Sequence, residues 1–250
     1  MTPSLRADGL TKIWGTFAAA SDVSLALEPG ARHALIGPNG AGKTTCIDMI
    51  TGVLPPSHGE VYLGDRRVTR LTQHERVKLG MARTFQVNTL FEALTPLESV
   101  MLAICERTGA AWDAWRSAGQ LRPENDEAMA LLATLRLEKE AAIETRHLPY
   151  GKQRLVEIAL ALATRPKVLL LDEPAAGIPA AETGEVFAVL SQLPADVSIL
   201  FIEHDMDLVL RFAQRITVLV GGRVLMEGTP DEVVGDARVR EVYLGEAVGG

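Results

Sequence analysis

The stretch that decides the fold is Gly37-Pro38-Asn39-Gly40-Ala41-Gly42-Lys43-Thr44, which matches G-x-x-x-x-G-K-[ST] at every fixed position. The apolar run Ala34–Ile36 precedes it, and the helix-like segment Thr44–Ile50 follows it. In such a P-loop the glycines let the backbone wrap a phosphate, and amide groups at the helix N-terminus favour the anion. We therefore expect this stretch to bind nucleotide, with the Lys43 ammonium on the β- and γ-phosphates and the Thr44 hydroxyl on Mg²⁺.

A second buried run, Val168–Leu171, ends in the carboxylates of Asp172 and Glu173. In the same sheet as a P-loop, Asp172 is placed to contact Mg²⁺, directly or through water. Glu173 is placed to accept a proton from the attacking water. A strand that ends in Asp-Glu can also be a solvated tip, but the P-loop favours the catalytic interpretation. The two motifs together predict a Mg²⁺-dependent nucleotide hydrolase.

Composition excludes several classes of protein. The 250 residues carry 25 basic and 32 acidic side chains, a formal net charge of −7, which argues against nucleic acid as a partner. The 2 cysteines make no disulfide framework and favour a reducing compartment. No stretch reaches the roughly 20 apolar residues that span a bilayer, and the N-terminus has no secretory pattern. We expect a soluble intracellular protein.

The order of apolar runs predicts an α/β fold. Two more runs, Ile199–Ile202 and Ile216–Val220, indicate buried strands of a mostly parallel sheet with helices on both faces. Ala7–Leu27 and Val61–Val68 mix polar and β-branched residues, which favours an antiparallel β flank. The remaining predicted elements are helices: Pro96–Arg107, Pro123–Leu137, Gly151–Thr164 and one that starts at Thr229-Pro230.

These elements predict a single domain over residues 1–250. Its α/β core would take up about 1–86 and 165–228, interrupted by a helical insert over about 87–164 and followed by a helical tail over about 229–250.

The stretch Leu148-Pro149-Tyr150-Gly151-Lys152-Gln153-Arg154 opens the last helix of this insert. With it, the chain resembles the nucleotide-binding subunits of ATP-binding cassette (ABC) transporters, whose signature sequence lies there. The resemblance covers essentially the whole chain and implies a P-loop NTPase core, ATP and Mg²⁺. It also implies that nucleotide contacts the P-loop and Thr45, and that Tyr150, Gly151 and Lys152 contact nucleotide held by a second subunit.

The resemblance implies further roles for single residues. Trp14 matches the aromatic that stacks on adenine, although such a ring can also be a packing anchor. Gln86 matches the glutamine that joins the core to the insert, contacts Mg²⁺ and reports the nucleotide state. His204 matches the switch histidine that hydrogen-bonds the γ-phosphate. Ala176-Gly177-Ile178 opens the segment that crosses to the second subunit.

The finer resemblance is to ATP-binding subunits of branched-chain amino-acid uptake systems. It is carried by Tyr150, Ala175-Ala176-Gly177, Ile202-Glu203-His204-Asp205-Met206, Glu227-Gly228-Thr229-Pro230 and Tyr243-Leu244-Gly245-Glu246-Ala247. It implies a bacterial or archaeal motor, peripheral to the cytoplasmic face of the inner membrane. Its partners would be a second, identical or different, ATP-binding subunit, transmembrane permease subunits that dock on the insert, and an extracytoplasmic solute-binding protein through the complex.

Other functions remain open on the sequence. The solute could be urea, an amide or an aromatic acid, or the chain could serve a lipopolysaccharide exporter. A soluble ABC ATPase acting on nucleic acid or the ribosome usually carries two cassettes or a long coiled coil, and neither is present.

The signature departs from the family pattern at two positions. Pro149 replaces a small residue, often serine, and Lys152 stands where glutamine is common. In addition, Pro179-Ala180 replaces an Asn-Pro pair in the crossing segment. Our hypothesis is that the signature closes weakly on the partner's nucleotide, because proline has neither a hydroxyl nor an N–H, while Lys152 supplies a cation near the same phosphate.

Overall fold

The computed structural model describes residues 2–84, 90–110 and 122–246. Its elements, in chain order, are β1 (Leu5–Trp14), β2 (Phe17–Leu27), β3 (Arg32–Ile36), α1 (Lys43–Thr51), β4 (His58–Leu63), β5 (Arg66–Arg67), α2 (Gln73–Lys78), β6 (Met81–Arg83), α3 (Pro96–Thr108), α4 (Arg122–Thr134), α5 (Tyr150–Ala163), β7 (Val168–Asp172), α6 (Ala180–Ser191), β8 (Ser198–Ile202), α7 (Met206–Phe212), β9 (Arg215–Val220), β10 (Arg223–Gly228), α8 (Pro230–Gly235) and α9 (Ala237–Glu246).

The larger sheet carries the nucleotide motifs. Its strand order is β10-β9-β3-β8-β7-β6, parallel from β9 to β6, with β10 antiparallel to β9. All residues of β3 and β8 are buried, as expected of central strands covered on both faces. The four apolar runs of the sequence are β3, β7, β8 and β9, so the predicted parallel core is confirmed.

The smaller sheet is antiparallel, in the order β2-β1-β4-β5, which confirms the predicted flank. Helix α1 packs between the two sheets, because its buried Cys46 and Ile50 share one apolar cluster with Leu10 of β1 and Leu200 of β8. Burial raises the pKa of the Cys46 thiol to about 12, so this cysteine acts as a small apolar side chain.

Helices α3, α4 and α5 pack against one another in the middle of the chain. As predicted, α3 starts at Pro96, after a capping box formed by Thr95 and Glu98. Helix α4 ends at Thr134 rather than at the predicted Leu137. The reason is a left-handed Arg136 (φ 57°), after which the Leu137 amide donates to the Leu132 carbonyl and closes the helix.

Helix α2 was not predicted, and it delivers a fully buried arginine to the far end of α1. The Arg76 guanidinium donates to the carbonyls of Met49, Ile50, Thr69 and Leu71. Burial lowers the pKa of Arg76 to about 10. A cation at a helix C-terminus stabilises the exposed carbonyls there, so Arg76 holds α1 at the end opposite the P-loop.

The predicted start of the C-terminal helices is confirmed, because Thr229 and Glu232 form a capping box at α8. None of the helices in the described ranges combines the length and the apolar character that crossing a membrane requires.

Candidate nucleotide site

The strand order brings the predicted motifs to one edge of the larger sheet. The P-loop follows β3, His204 lies two residues after β8, and Asp172 and Glu173 stand at the end of β7. Because β3, β8 and β7 are adjacent and parallel, their carboxyl ends meet. Ligands of open α/β sheets bind at this edge.

The P-loop is fixed by two glycines and its lysine. A Cβ at Gly37 (φ 150°) would stand 2.1 Å from the Leu219 carbonyl oxygen, and one at Gly42 (φ 97°) would stand 2.4 Å from that of Ala19. The buried Lys43 ammonium donates to the carbonyls of Gly37 at 2.6 Å and Pro38 at 3.0 Å. Helix α1 begins after Gly42 with no side-chain cap, so its first amides face the loop as an anion site requires.

Glu173 and His204 are in direct contact. A hydrogen bond of 2.6 Å joins Glu173 Oε1 to His204 Nε2, and both side chains remain partly exposed, at 39% and 46%. Glu173 has a positive φ of 48°, which turns its side chain at the end of β7. Two residues that the sequence predicted separately therefore form one unit.

Arg83, to which the sequence analysis gave no role, contacts the predicted Mg²⁺ ligand. Its guanidinium donates to Asp172 Oδ2 at 2.6 Å and to Asp48 Oδ1 on α1, also at 2.6 Å. Burial alone would lower the pKa of Arg83, but its hydrogen bonds to the two carboxylates leave that pKa above its ordinary value. The polar end of the short strand Met81–Arg83 is the sequence signal that could have drawn attention to it.

Glu203 is a second residue for which the sequence predicted no role. Its buried carboxylate accepts hydrogen bonds from the Ala175 amide at 2.7 Å and from the His204 amide at 3.1 Å. Burial raises the pKa of Glu203. The carboxylate thereby ties the segment after Glu173 to the backbone of His204.

The signature helix α5 begins at Tyr150, with Pro149 as its N-cap and no side-chain cap. The Tyr150 ring lies over Gly177, where a Cβ would be 3.0 Å from it. The Lys152 ammonium is engaged within the chain, at 3.0 Å from Glu185 Oε1 on α6 and 3.2 Å from the Arg136 carbonyl. Contacts of Tyr150, Gly151 and Lys152 with a partner's nucleotide stay predictions.

Arg154 of the signature connects α5 to the end of β7. It donates to the carbonyls of Asp172 at 2.6 Å and Glu173 at 2.8 Å, and it pairs with Glu157 at 2.5 Å. Burial raises the pKa of Glu157 to about 7. An Arg and a Glu at i and i+3 within an otherwise apolar helix are a sequence pattern that indicates such a buried pair.

Trp14 ends β1 opposite Phe17 of β2, and both rings are exposed, at 55% and 65%. The Lys12 ammonium lies 4.6 Å from the Trp14 ring centroid. Their hairpin is next to the P-loop, because Ala19 of β2 touches Gly42. The stacking of Trp14 on adenine stays a prediction, as does the contact from half-buried Thr45.

Gln86 lies outside the described residues, so its predicted roles stay predictions. Within those residues, no group of three or more His, Cys, Asp or Glu is arranged to hold a metal. Mg²⁺ in nucleotide sites needs fewer protein ligands, because substrate phosphates and water supply the rest. The exposed Thr44 and the partly exposed Asp172 are the hard oxygen donors that fit this requirement.

A P-loop ATPase with a helical insert and a signature helix is the class of protein that this fold and site define. The sequence profile of the ABC transporter family matches residues 20–176, and that of the branched-chain amino acid ATP-binding cassette transporter matches residues 223–249. The chain belongs to the ABC transporter family and is one of its ATP-hydrolysing cassettes. The predicted family and fold are thereby confirmed.

Individual relatives and solved structures match most of the chain's length. The high-affinity branched-chain amino acid transport ATP-binding protein LivG of Escherichia coli (strain K12) is 36% identical over 98% of this chain and 99% of its own. A solved ATP-binding cassette of an ABC transporter, in its ADP conformation, is 30% identical with a TM-score of 0.85, over 98% of this chain and 100% of that one. A dimeric cassette in a post-hydrolysis state with ADP and Pi is 26% identical with a TM-score of 0.74, over 90% and 98%.

Proposed function

We propose that this chain is the ATP-hydrolysing motor subunit of a branched-chain amino-acid importer. The observation that carries the catalytic part is the contact between Glu173 and His204 at the strand edge that also bears the P-loop. The solute is supported by the 36% identical relative and by the match of residues 223–249. We also propose the division into a core, a helical insert and a tail as expected from the sequence.

The P-loop residues Gly37–Thr44 would bind the phosphates of ATP through backbone amides and the Lys43 ammonium. Glu173 would accept the proton of the attacking water, with its carboxylate oriented by His204. His204 would also hydrogen-bond the γ-phosphate, in a contact separate from the one between its Nε2 and Glu173.

Mg²⁺ fits the oxygen donors beside this site: the Thr44 hydroxyl and Asp172 would hold it, directly or through water, with Gln86 as a further predicted ligand. When bound, the ion would neutralise negative charge on the phosphates of the nucleotide. Asp172 is kept in place by Arg83, and its backbone carbonyl by Arg154.

We propose that two cassettes work as a pair, and the solved dimeric cassette with ADP and Pi supports the pairing. The signature residues Tyr150, Gly151 and Lys152 would then cover nucleotide held by the P-loop of the second ATP-binding subunit. We propose that permease subunits dock on the helical insert at the cytoplasmic face of the membrane. An extracytoplasmic solute-binding protein would act through the same complex.

The test is complementation of solute uptake. A strain that lacks this chain should regain uptake of labelled leucine when given the wild-type chain, but not when given Lys43→Ala at equal abundance. Excess isoleucine or valine should compete, whereas urea, amides and aromatic acids should not. Restored uptake of one of those compounds, without restored leucine uptake, would replace the proposed solute.

A further inference from the structure

We propose that Arg83 is a positioning residue for Mg²⁺-dependent nucleotide binding, because it holds the Asp172 carboxylate and anchors it to the P-loop helix α1. This inference rests on the proposed function, which makes Asp172 a magnesium ligand. Arg83 lies outside the P-loop, the strand-end carboxylates and the signature.

The geometry is a three-element bridge through one guanidinium. Arg83 ends β6 and is paired with Leu170 of the neighbouring β7, two residues before Asp172. One terminal nitrogen lies 2.6 Å from Asp172 Oδ2, and the other lies 2.6 Å from Asp48 Oδ1 on α1. The Arg83 side chain is 11% exposed, so both ion pairs are partly shielded from water. Charge-assisted bonds of this length strongly restrain the carboxylate rotamers.

The position of Asp48 gives the bridge its relevance to nucleotide. Asp48 is four residues after Thr44 on the same helix, so the two side chains share one face of α1. Arg83 therefore joins the helix face that bears the Thr44 hydroxyl to the strand end that bears Asp172. The two predicted magnesium ligands are held relative to each other by a group that is itself no ligand.

The bridge also balances charge. Without the guanidinium, two carboxylates would face each other at the sheet edge, and their repulsion would turn Asp172 away from its present rotamer. The pattern differs from that of Arg32, another buried arginine. In the described part of the chain, the Arg32 guanidinium donates hydrogen bonds to the backbone carbonyls of Gly30, Leu193 and Val197. Arg32 thus serves as a control for the loss of a buried arginine.

The experiment measures equilibrium binding of a fluorescent ATP analogue to the full chain, once with excess Mg²⁺ and once with EDTA. The ratio of the two dissociation constants is the magnesium enhancement. We expect Arg83→Gln to reduce this enhancement about tenfold, as is typical for the loss of an outer-shell partner, while affinity in EDTA changes less than about twofold. Arg32→Gln should lower thermal stability but leave the enhancement unchanged.

Two further variants test the form of the bridge. Arg83→Lys keeps the charge but not the fork, so we expect it to recover part of the enhancement. Full recovery would mean that charge alone suffices and would overturn the positioning role. Asp48→Asn keeps the Arg83–Asp172 pair but weakens the anchor, so it should give a smaller loss of enhancement. An unchanged enhancement in Asp48→Asn would remove α1 from the bridge.

A double-mutant comparison separates this inference from the proposed function. If Arg83 acts through Asp172, the double variant Arg83→Gln with Asp172→Asn should lose no more enhancement than Asp172→Asn alone. If Asp172→Asn itself leaves the enhancement intact, the metal assignment of the proposed function is wrong. If Asp172→Asn loses the magnesium enhancement and Arg83→Gln keeps it, the positioning role of Arg83 is refuted while the proposed function stands.

Discussion

The P-loop and the signature differ in how much chemistry their side chains offer. The P-loop matches its pattern at every fixed position and adds a buried lysine whose ammonium lies within the loop. At the signature, the N-cap is a proline, and Lys152 is engaged with Glu185 of the same chain. If the P-loop binds the chain's own nucleotide and the signature covers a partner's, as proposed, the chain offers a full set of groups to the first and chiefly backbone amides around Gly151 to the second.

The described helices begin either with or without a side-chain cap, and the P-loop and signature helices are of the second kind. Helices α2, α3 and α8 each start with a Thr–Glu capping box, which satisfies their first amides. Helices α1, α5 and α6 start after Gly42, Pro149 and Pro179 with no side-chain cap. Amides without a side-chain acceptor are compatible with an external anion, but α6 shows that a missing cap does not by itself define a phosphate site.

The largest effect should come from the chain's own site. Glu173→Gln should retain nucleotide and Mg²⁺ binding but lower the rate of ATP hydrolysis by about 10²-fold or more, because it removes the base and keeps the shape. Steady-state phosphate release measures the rate, and fluorescent nucleotide titration measures the binding. Unchanged turnover would remove Glu173 from the role of base.

A smaller effect is expected at the edge of the same site. Trp14→Ala should weaken nucleotide binding by about 1–3 kcal/mol if the ring stacks on adenine. Phe17→Ala is the matched control, since Phe17 is the exposed cross-strand neighbour of Trp14. If a nucleotide titration gives the larger loss for Phe17→Ala, then Phe17 and not Trp14 makes the adenine contact.

A substitution in the signature should have a smaller effect, and it should strengthen an interaction rather than weaken one. Pro149→Ser supplies a hydroxyl at the N-cap of α5, where it can donate to the partner's γ-phosphate. One net hydrogen bond of about 1 kcal/mol should strengthen ATP-driven self-association about fivefold. Sedimentation of Pro149→Ser in the Glu173→Gln background, with and without Mg-ATP, measures this association. Association that stays the same or weakens would mean that residue 149 does not face nucleotide.

The smallest effect is expected at Lys152. The hypothesis from sequence placed its cation near the phosphate, where Lys152→Gln would weaken association. In this structure the ammonium bridges α5 to Glu185 of α6, so the substitution should lower the free energy of unfolding by at most about 1 kcal/mol. It should weaken association only slightly, because the ammonium must leave Glu185 to reach a partner's phosphate, and unchanged association would mean that it stays on Glu185. Denaturant titration and sedimentation of the same variant decide between the two positions of the side chain.

The sequence predicted the features that depend on neighbouring residues. It did not predict the contacts between residues that are far apart in the chain. The P-loop, the end of β7 and the start of α3 are local patterns, and they were predicted correctly. Arg83 and Asp172 are 89 positions apart, and Arg76 meets the end of α1 from a helix that was not predicted. A lone arginine in sequence indicates charge, but its partners are fixed by which strands and helices become neighbours in the fold.

The left-handed backbone at Glu173 sets catalytic activity against thermal stability. A non-glycine residue with φ of 48° costs of the order of 1–3 kcal/mol, and the fold bears that cost at the residue assigned to chemistry. Asparagine and glycine adopt this conformation more easily. Selection of this protein for heat resistance alone should therefore enrich Asn or Gly at position 173 and return robust, inert variants, so any thermostabilisation programme needs an activity screen running alongside it.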